Sequence, residues 1–371
     1  MEICGDMQNK RVVITGLGVL SPFGNLEDTV RCINHNLRCY NTKHSIKVDY
    51  NTFVEYPIGL VNTYNTNNRK FDRVANTSDK FAYIATKDAL NNYCPSPSFT
   101  GVAINSSLLG FINIQNILNC LGNNPQDIPT GDFFKTFKNS PAFNIAQEFN
   151  FRGECISSAA TCATSIQNII LGYRSILQND MDMMICGGTE EYHPSISYIF
   201  HRLGIVSKTE CKPFADDRDG TVISEGAGVV VLEELDHALH RRATIYGEIV
   251  GTNMNCSDSI TVSTKDSIDE CMYWCIAKRN PPIRDITINA HATGTILGDK
   301  NELEAIKELL PTSEIRTYKQ YLGHTMAASG AIELAIDLYK QDFKYLLKNS
   351  FGLGGTNCSI LIKKYGEQYG S

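Results

Sequence analysis

Long apolar runs are missing from this 371-residue chain. Nowhere do roughly 18 apolar residues follow one another, the length a membrane-crossing helix needs. The opening stretch, MEICGDMQNKRVVITG, lacks the apolar core of a secretory leader. An excess of positive charge is missing too. The formal net charge is −6, so binding to nucleic acid by bulk charge is not expected. Low-complexity tracts are absent, and no linker divides the chain cleanly. These absences leave a soluble, cytoplasmic protein with neither membrane nor nucleic acid among its partners. With 42% hydrophobic and 20% charged residues, it can build one large or two packed cores.

A paired cysteine framework is also lacking. The thirteen cysteines are odd in number and irregular in spacing, so most are expected reduced and buried. Cys271 and Cys275 stand four apart, but no second cysteine or histidine pair completes a zinc site, and no metal is expected.

What is present is alternation. Short apolar runs at 11–15 (RVVIT), 101–105 (GVAIN), 182–188, 227–233 (AGVVVLE), 246–251 and 285–290 (DITINA) read as strands. Between them lie helical patterns, among them TSDKFAYIATKDALNN, CATSIQNIILGYRSILQN, NELEAIKELL and MAASGAIELAIDLYK. The pattern predicts an α/β fold with largely parallel sheets covered on both faces. Each half ends in a Gly-rich strand turn, a weak internal symmetry.

Cys162 sits in SSAATCATSIQN, among small residues where a helix begins. Small neighbours leave room for an acyl group, and a helix N-terminus favours an anion there, so a thiolate nucleophile is one reading. A buried structural thiol is the other. Two later stretches bear on the choice. NAHATGTILGDKNE places His291 just after a predicted strand, where α/β folds put their chemistry. YKQYLGHTMAASGAIE places His324 before a small-residue helix, with Lys319 upstream and Glu333 within it.

Seven motifs in order carry a resemblance: RVVITGLGVLSPFGN, AATCATS, CGGTEE, KPFADDRDGTVISEGAGVVVLEE, NAHATGTILGDKNE, LGHTMAASGA and NSFGLGGTN. Together they cover nearly the whole chain, which resembles the β-ketoacyl-[acyl carrier protein] synthases of the thiolase-fold superfamily. That resemblance implies two similar βαβαβαββ halves, 1–234 and 235–371, in a five-layered αβαβα arrangement. It implies an acyltransferase that joins malonyl on a carrier protein, with loss of carbon dioxide, to an acyl chain held on Cys162. His291 and His324 match the family's two histidines, Lys319 the lysine that sets their hydrogen bonding, and Glu333 the glutamate behind it. Asp299 and Glu302 match the acidic positions of the GDKNE segment. Thr293 and Thr295 match threonines that bond the phosphopantetheine arm. Phe351 matches a gating phenylalanine whose N–H joins that of Cys162 in an oxyanion hole, and Phe200 a second gating aromatic. Leu108 falls where the family lines its acyl pocket. No cofactor is implied beyond the phosphopantetheine that the acyl carrier protein brings. A homodimer, or a heterodimer with a chain-length-factor subunit, is implied. Arg69, Lys70 and Arg73, or Arg241 and Arg242, are candidates for docking the acidic carrier.

The chain also departs from the family. About 25 residues are missing before NSFGLGG, which predicts the loss of a loop and of a strand or strand edge. The segment 252–284 is short, and Ala292 stands where the family has glycine. These departures favour a type II polyketide or polyene pathway, or a specialised fatty-acid pathway, over housekeeping elongation, which stays open. A non-catalytic chain-length-factor subunit would lack the nucleophilic cysteine. A thiolase would carry a second catalytic cysteine in a CxG motif, and here Cys358 lies beyond GGTN.

Overall fold

Ten strands form one hydrogen-bonded sheet in the computed structural model, which describes residues 10–40, 42–108 and 110–366. The first nine residues, part of the stretch searched for a leader, lie outside it. Five strands come from the first part of the chain: β1 Val12–Leu20, β2 Thr100–Asn105, β3 Cys155–Ile156, β4 Met183–Glu190 and β5 Gly226–Glu234. Five come from the second: β6 Gly247–Cys256, β7 Ile286–Asn289, β8 Glu314–Arg316, β9 Tyr345–Phe351 and β10 Thr356–Lys363. The spatial order is β8-β7-β9-β10-β6-β1-β5-β4-β2-β3. Each group of five therefore runs third, second, fourth, fifth, first from its outer edge. The pairings repeat as well, parallel for β2 with β3 and β4 and for β7 with β8 and β9, antiparallel for the rest. The groups join where β1 meets β6 over only three positions, Val12↔Ile249 to Ile14↔Gly247.

The helices complete two βαβαβαββ units. The first uses α1 Thr77–Leu90, α2 Ser140–Glu148 and α3 Thr164–Leu177. A further helix, α4 Pro194–Leu203, follows β4. The second unit uses α5 Lys265–Ala277, α6 Ile296–Leu309 and α7 Ser329–Lys340. Three apolar clusters show the layering. One joins α1 and α2 to one face of the first strand group, through Phe81, Ile145, Ile104 and Val229. A second joins α5 and α6 to the outer face of the other group, through Met272, Ile306, Ile288 and Leu347. The third holds α3 and α7 between both groups, through Ile166, Ile332, Met184 and Leu346. The result is five layers, α-β-α-β-α.

Composition explains which helices lie inside. In α7 every residue from Ser329 to Leu338 is buried, apolar or small except for Glu333 and Asp337, whose carboxylates are answered by Lys319, Lys348 and Tyr318. By contrast α6 buries only Asp299, Glu302, Ala305 and Ile306 and turns its other charges outward.

Two expectations are corrected. The sheet is not largely parallel, since antiparallel pairs are the more numerous among those described. Continuous apolar runs report burial on both faces, and the helical layers bury antiparallel strands as fully as parallel ones. No strand is lost near the end of the chain. YLLKNSF is β9 and is buried throughout, and residues 341–344 alone link it to α7.

The middle layer depends on small residues. A Cβ built on Gly330 would lie 2.6 Å from Ile166 Cγ1 and 2.8 Å from Ser165 Oγ, where α7 crosses α3. We expect Gly330→Val to lower the unfolding free energy by at least about 2 kcal/mol through overpacking. A denaturant midpoint unchanged from the parent would show that the layers can part freely there.

Candidate active site

Cys162 lies on a tight 3₁₀ turn, Thr161–Ala163, that delivers the chain into α3. Thr161 takes φ 47°, a left-handed conformation unusual for a β-branched residue. Its hydroxyl donates to the Leu353 carbonyl at 2.8 Å. The Thr164 hydroxyl accepts from Ala160 N at 2.9 Å and donates to Thr161 O at 2.7 Å. These bonds hold the turn that presents the sulfur.

His324 is pinned by its backbone. Its N–H donates to Val222 O at 2.7 Å, and its carbonyl accepts from Ser224 N at 3.0 Å. Gly323 takes φ +65°, and a Cβ there would lie 2.9 Å from Val222 O. The imidazole Nε2 lies 3.0 Å from Cys162 Sγ. Nδ1 lies 2.9 Å from Ser329 Oγ, which can donate or accept and so supports either neutral tautomer.

His291 leaves the end of β7. Glu302 accepts the N–H groups of His291 and Ala292, each at 2.7 Å, and Asp299 accepts those of Gly294 and Phe214 at 3.0 and 2.7 Å. The two acids therefore shape the loop. Ala292 takes φ 43°, a conformation glycine adopts more readily. Lys319 Nζ donates to the His291 carbonyl and to Glu333 Oε1, both at 2.6 Å. The imidazoles of His291 and His324 sit edge to face, with centroids 5.6 Å apart. His291 Nδ1 is buried without a hydrogen-bond partner. A charged ring would bury an unanswered N–H there, so the cheaper state is neutral with the proton on Nε2.

Burial governs the charges. It is the largest of the effects that hold both imidazoles well below the usual histidine range, and the Lys319 cation adds to it. It pushes the Cys162 thiol up to about 11, against the pull of Lys319 and of nearby backbone N–H groups. The expected thiolate at a helix start is therefore corrected: Cys162, 3% exposed, rests as a thiol beside a neutral base. Removing the sulfur from water outweighs the helix N-terminus. Burial likewise raises Glu302 to about 7.

A cavity of about 440 Å³ opens on this group. Cys162, His291, His324, Phe200, Phe351, Thr293, Thr295, Asp299 and Glu302 all line it. So does Ile296, 66% exposed, which marks its mouth at the surface. The Thr293 and Thr295 hydroxyls are 3.0 Å apart. Lys319 and Glu333 stand behind the wall.

Two sequence expectations fail, at Leu108 and at Arg241. Leu108 does not line this cavity and is 37% exposed, in a turn whose N–H groups at Ser107 and Leu108 are held by Glu190. The N–H groups of Leu353 and of Cys162 itself act on the sulfur. Phe351 sets its ring 5.6 Å from that of His291. Arg241 is not a free docking cation, because Glu233 takes its guanidinium in two bonds and Tyr93 stacks on it. Arg69, Lys70, Arg73 and Arg242 are exposed.

Ser329, Leu353 and Lys348 were missed. Lys348 Nζ donates to Glu333 Oε2 at 2.5 Å and to Asn289 Oδ1 at 2.8 Å. The available signal was a lysine inside an otherwise uncharged strand, YLLKNSF.

Two family models match the chain: "Beta-ketoacyl synthase, N-terminal domain" over residues 97–238, and its C-terminal counterpart over 246–340. The chain is similar to 3-oxoacyl-[acyl-carrier-protein] synthase 1 of Buchnera aphidicola subsp. Baizongia pistaciae, 28% identical over 96% of this chain and all of the relative. It is also similar to 3-oxoacyl-[acyl-carrier-protein] synthase 2 of Vibrio harveyi, 27% identical over 97% and 100%. In fold it is similar to a β-ketoacyl synthase from Burkholderia phymatum STM815, with a TM-score of 0.84 and 24% identity over 96% and 99% of the two chains. A type II polyketide ketosynthase, solved with its acyl-carrier protein and bound to the hexaketide, gives 0.84 and 23% over 96% and 100%.

The raised thiol has a direct readout. Because the thiolate fraction grows until pH approaches the pKa, alkylation of Cys162 by iodoacetamide should climb about tenfold per pH unit through pH 9.5. Mass spectrometry of the Cys162 peptide measures it, and a plateau below pH 8 would overturn the resting thiol.

Proposed function

The chain belongs to the β-ketoacyl synthase family, and from that premise we propose that it catalyses decarboxylative condensation of a malonyl-carrier protein with an acyl chain held on Cys162. The observation that carries this reading is the 3.0 Å contact between Cys162 Sγ and His324 Nε2. A scaffold subunit has no use for a thiol and a neutral base in contact at the foot of an open cavity.

The steps follow from the charges. His324 Nε2 accepts the thiol proton as the sulfur attacks an acyl-carrier thioester, and that proton leaves on the carrier's phosphopantetheine thiol. The N–H groups of Cys162 and Leu353, which act on the sulfur, are the donors this scheme assigns to the oxygen that becomes negative. The carrier of the malonyl group then threads its arm past Thr293 and Thr295. With the proton on Nε2 of both rings, His291 and His324 donate to the malonyl thioester carbonyl. Loss of carbon dioxide leaves an enolate on that oxygen, and its carbon attacks the acyl group on Cys162. The cysteine sulfur departs and takes up a proton, releasing the β-ketoacyl carrier. Ser329, able to donate to or accept from His324 Nδ1, supports both tautomers that these steps need. Lys319 and Glu333 set the loop behind His291. Asp299 and Glu302 hold its shape, and Phe200 and Phe351 gate the cavity. No metal or organic cofactor takes part in this scheme.

The partners proposed are an acyl carrier protein and a second subunit, in the cytoplasm. Phe133, Phe134 and Phe137 lie within 5.1–5.9 Å of one another, and each is at least 41% exposed, an apolar patch that asks for cover. A homodimer covers it, or a heterodimer with a chain-length-factor subunit. Light scattering on the purified chain separates these: twice the chain mass for the homodimer, one mass for a chain awaiting a different partner. The shortened link between α7 and β9 supports a type II polyketide, polyene or specialised fatty-acid pathway over housekeeping elongation.

Intact-mass analysis of carrier protein after incubation with acyl- and malonyl-carrier should show a β-ketoacyl product. Cys162→Ala should lower its rate by at least about 10³-fold. Cerulenin should label Cys162 in the parent. A chain that neither forms the product nor takes the label is a scaffold subunit.

A further inference from the structure

Two lysines share one carboxylate in the interior behind the imidazoles. Lys319 Nζ lies 2.6 Å from Glu333 Oε1, and Lys348 Nζ lies 2.5 Å from Glu333 Oε2. None of the three side chains is more than 2% exposed. A buried lysine ordinarily needs its own counter-ion. Here one glutamate serves two, so the trio carries one positive charge in excess. The two ammonium groups also divide the surroundings. Lys319 spends its other bond on the His291 carbonyl. Lys348 spends its own on Asn289 Oδ1, two residues before His291 on β7. Asn289 Nδ2 in turn donates to the Glu333 carbonyl at 3.1 Å and to Asp337 Oδ2 at 2.5 Å.

The remaining charged groups near the rings are committed elsewhere. Asp299 and Glu302 on α6 accept loop N–H groups. Glu190 on β4 accepts from Ser106, Ser107 and Ala327. Asp337 on α7 accepts from Tyr318, Arg316 and Asn289. From the α3 side the rings meet only the neutral thiol of Cys162.

We propose that Lys348 is a second positioning cation of this site: it takes the half of Glu333 that Lys319 leaves, ties β9 to β7 beneath His291, and gives the closed group its excess positive charge. The inference deepens the condensing reading above and rests on it for the use made of the rings. A buried positive charge opposes protonation of a neighbouring imidazole and favours a negative charge forming in the cavity. Lys348 is among the groups that hold both rings below the usual range, after burial and Lys319. Burial correspondingly lowers the basicity of Lys348 itself. The role is one of position and charge, since Lys348 does not line the cavity.

Titration of the histidine rings tests this without substrate. In the full chain, ¹⁵N-histidine spectra should show His291 and His324 still neutral well below the usual histidine midpoint of about 6.5. In Lys348→Met both midpoints should rise by about one pH unit. In Lys348→Met/Glu333→Gln, which leaves Lys319 as the one uncompensated cation, they should fall back. The acid limb of malonyl-carrier decarboxylation should move with them, a rate loss of about tenfold below the limb in the single variant. Unchanged midpoints in a folded Lys348→Met overturn the proposal and leave Lys348 a structural ion pair. If the variant does not fold, the parent decides, because either ring titrating near 6.5 overturns it. Rings that shift as expected in a chain without decarboxylase activity would leave the role of Lys348 standing and sink the condensing reading instead.

Discussion

Everything at this site depends on two helices crossing closely in a layer that water does not reach. At that crossing Ala331 N donates to Ser165 Oγ at 3.0 Å, and glycine at 330 leaves room for the side chains of Ser165 and Ile166. Cys162 stands just before α3, and His324 just before the turn that opens α7. Packing one helix start against the other is what sets sulfur and imidazole in contact. The two strand groups then act as walls, and the outer helices shield them.

Burial decides the chemistry as much as geometry does. Sulfur and imidazoles in water would titrate near 8.5 and 6.5. Here the thiol is pushed up and the rings are pushed down, so the resting site carries no charge on its reacting groups. Its positive charge lies behind the wall, on Lys319 and Lys348 with Glu333 between them, while the carboxyls of Asp299 and Glu302 on the wall are taken up by loop N–H groups. Neutral reacting groups in front of a positive support suit a reaction in which negative charge appears only in passing. The same arrangement explains why a thiolate need not exist beforehand: the base is already in place to take the proton as the bond forms.

The repeat of topology gives the two halves different duties. Strand order and direction agree position for position between the groups, yet the first contributes the nucleophile and the second both histidines and both lysines. The loop after β7 carries His291, and the turn after β9 carries Leu353 to the sulfur. One scaffold, used twice and joined at three residue pairs of β1 and β6, closes a cavity that neither half encloses alone.

Much of this was legible in the linear chain. Apolar runs marked the strands at 100–105, 183–190 and 226–234, and small-residue patterns marked the two inner helices. Seven ordered motifs placed Cys162, His291, His324 and Lys319 in one family frame, because local patterns and short spacings are properties of sequence. What the fold alone decided is whatever depends on neighbours remote along the chain. The rise of the thiol, the hold of Glu190 on the turn at Leu108 and the approach of Leu353 to the sulfur arise from contacts between segments tens to hundreds of residues apart, whereas Glu233 captures Arg241 from only eight residues back. Lys348 is the sharpest case: as a letter it is a charge in a strand, and only burial against Glu333 and Asn289 makes it part of the site. Proximity, desolvation and facing direction are set by packing, and no spacing rule within one segment encodes them.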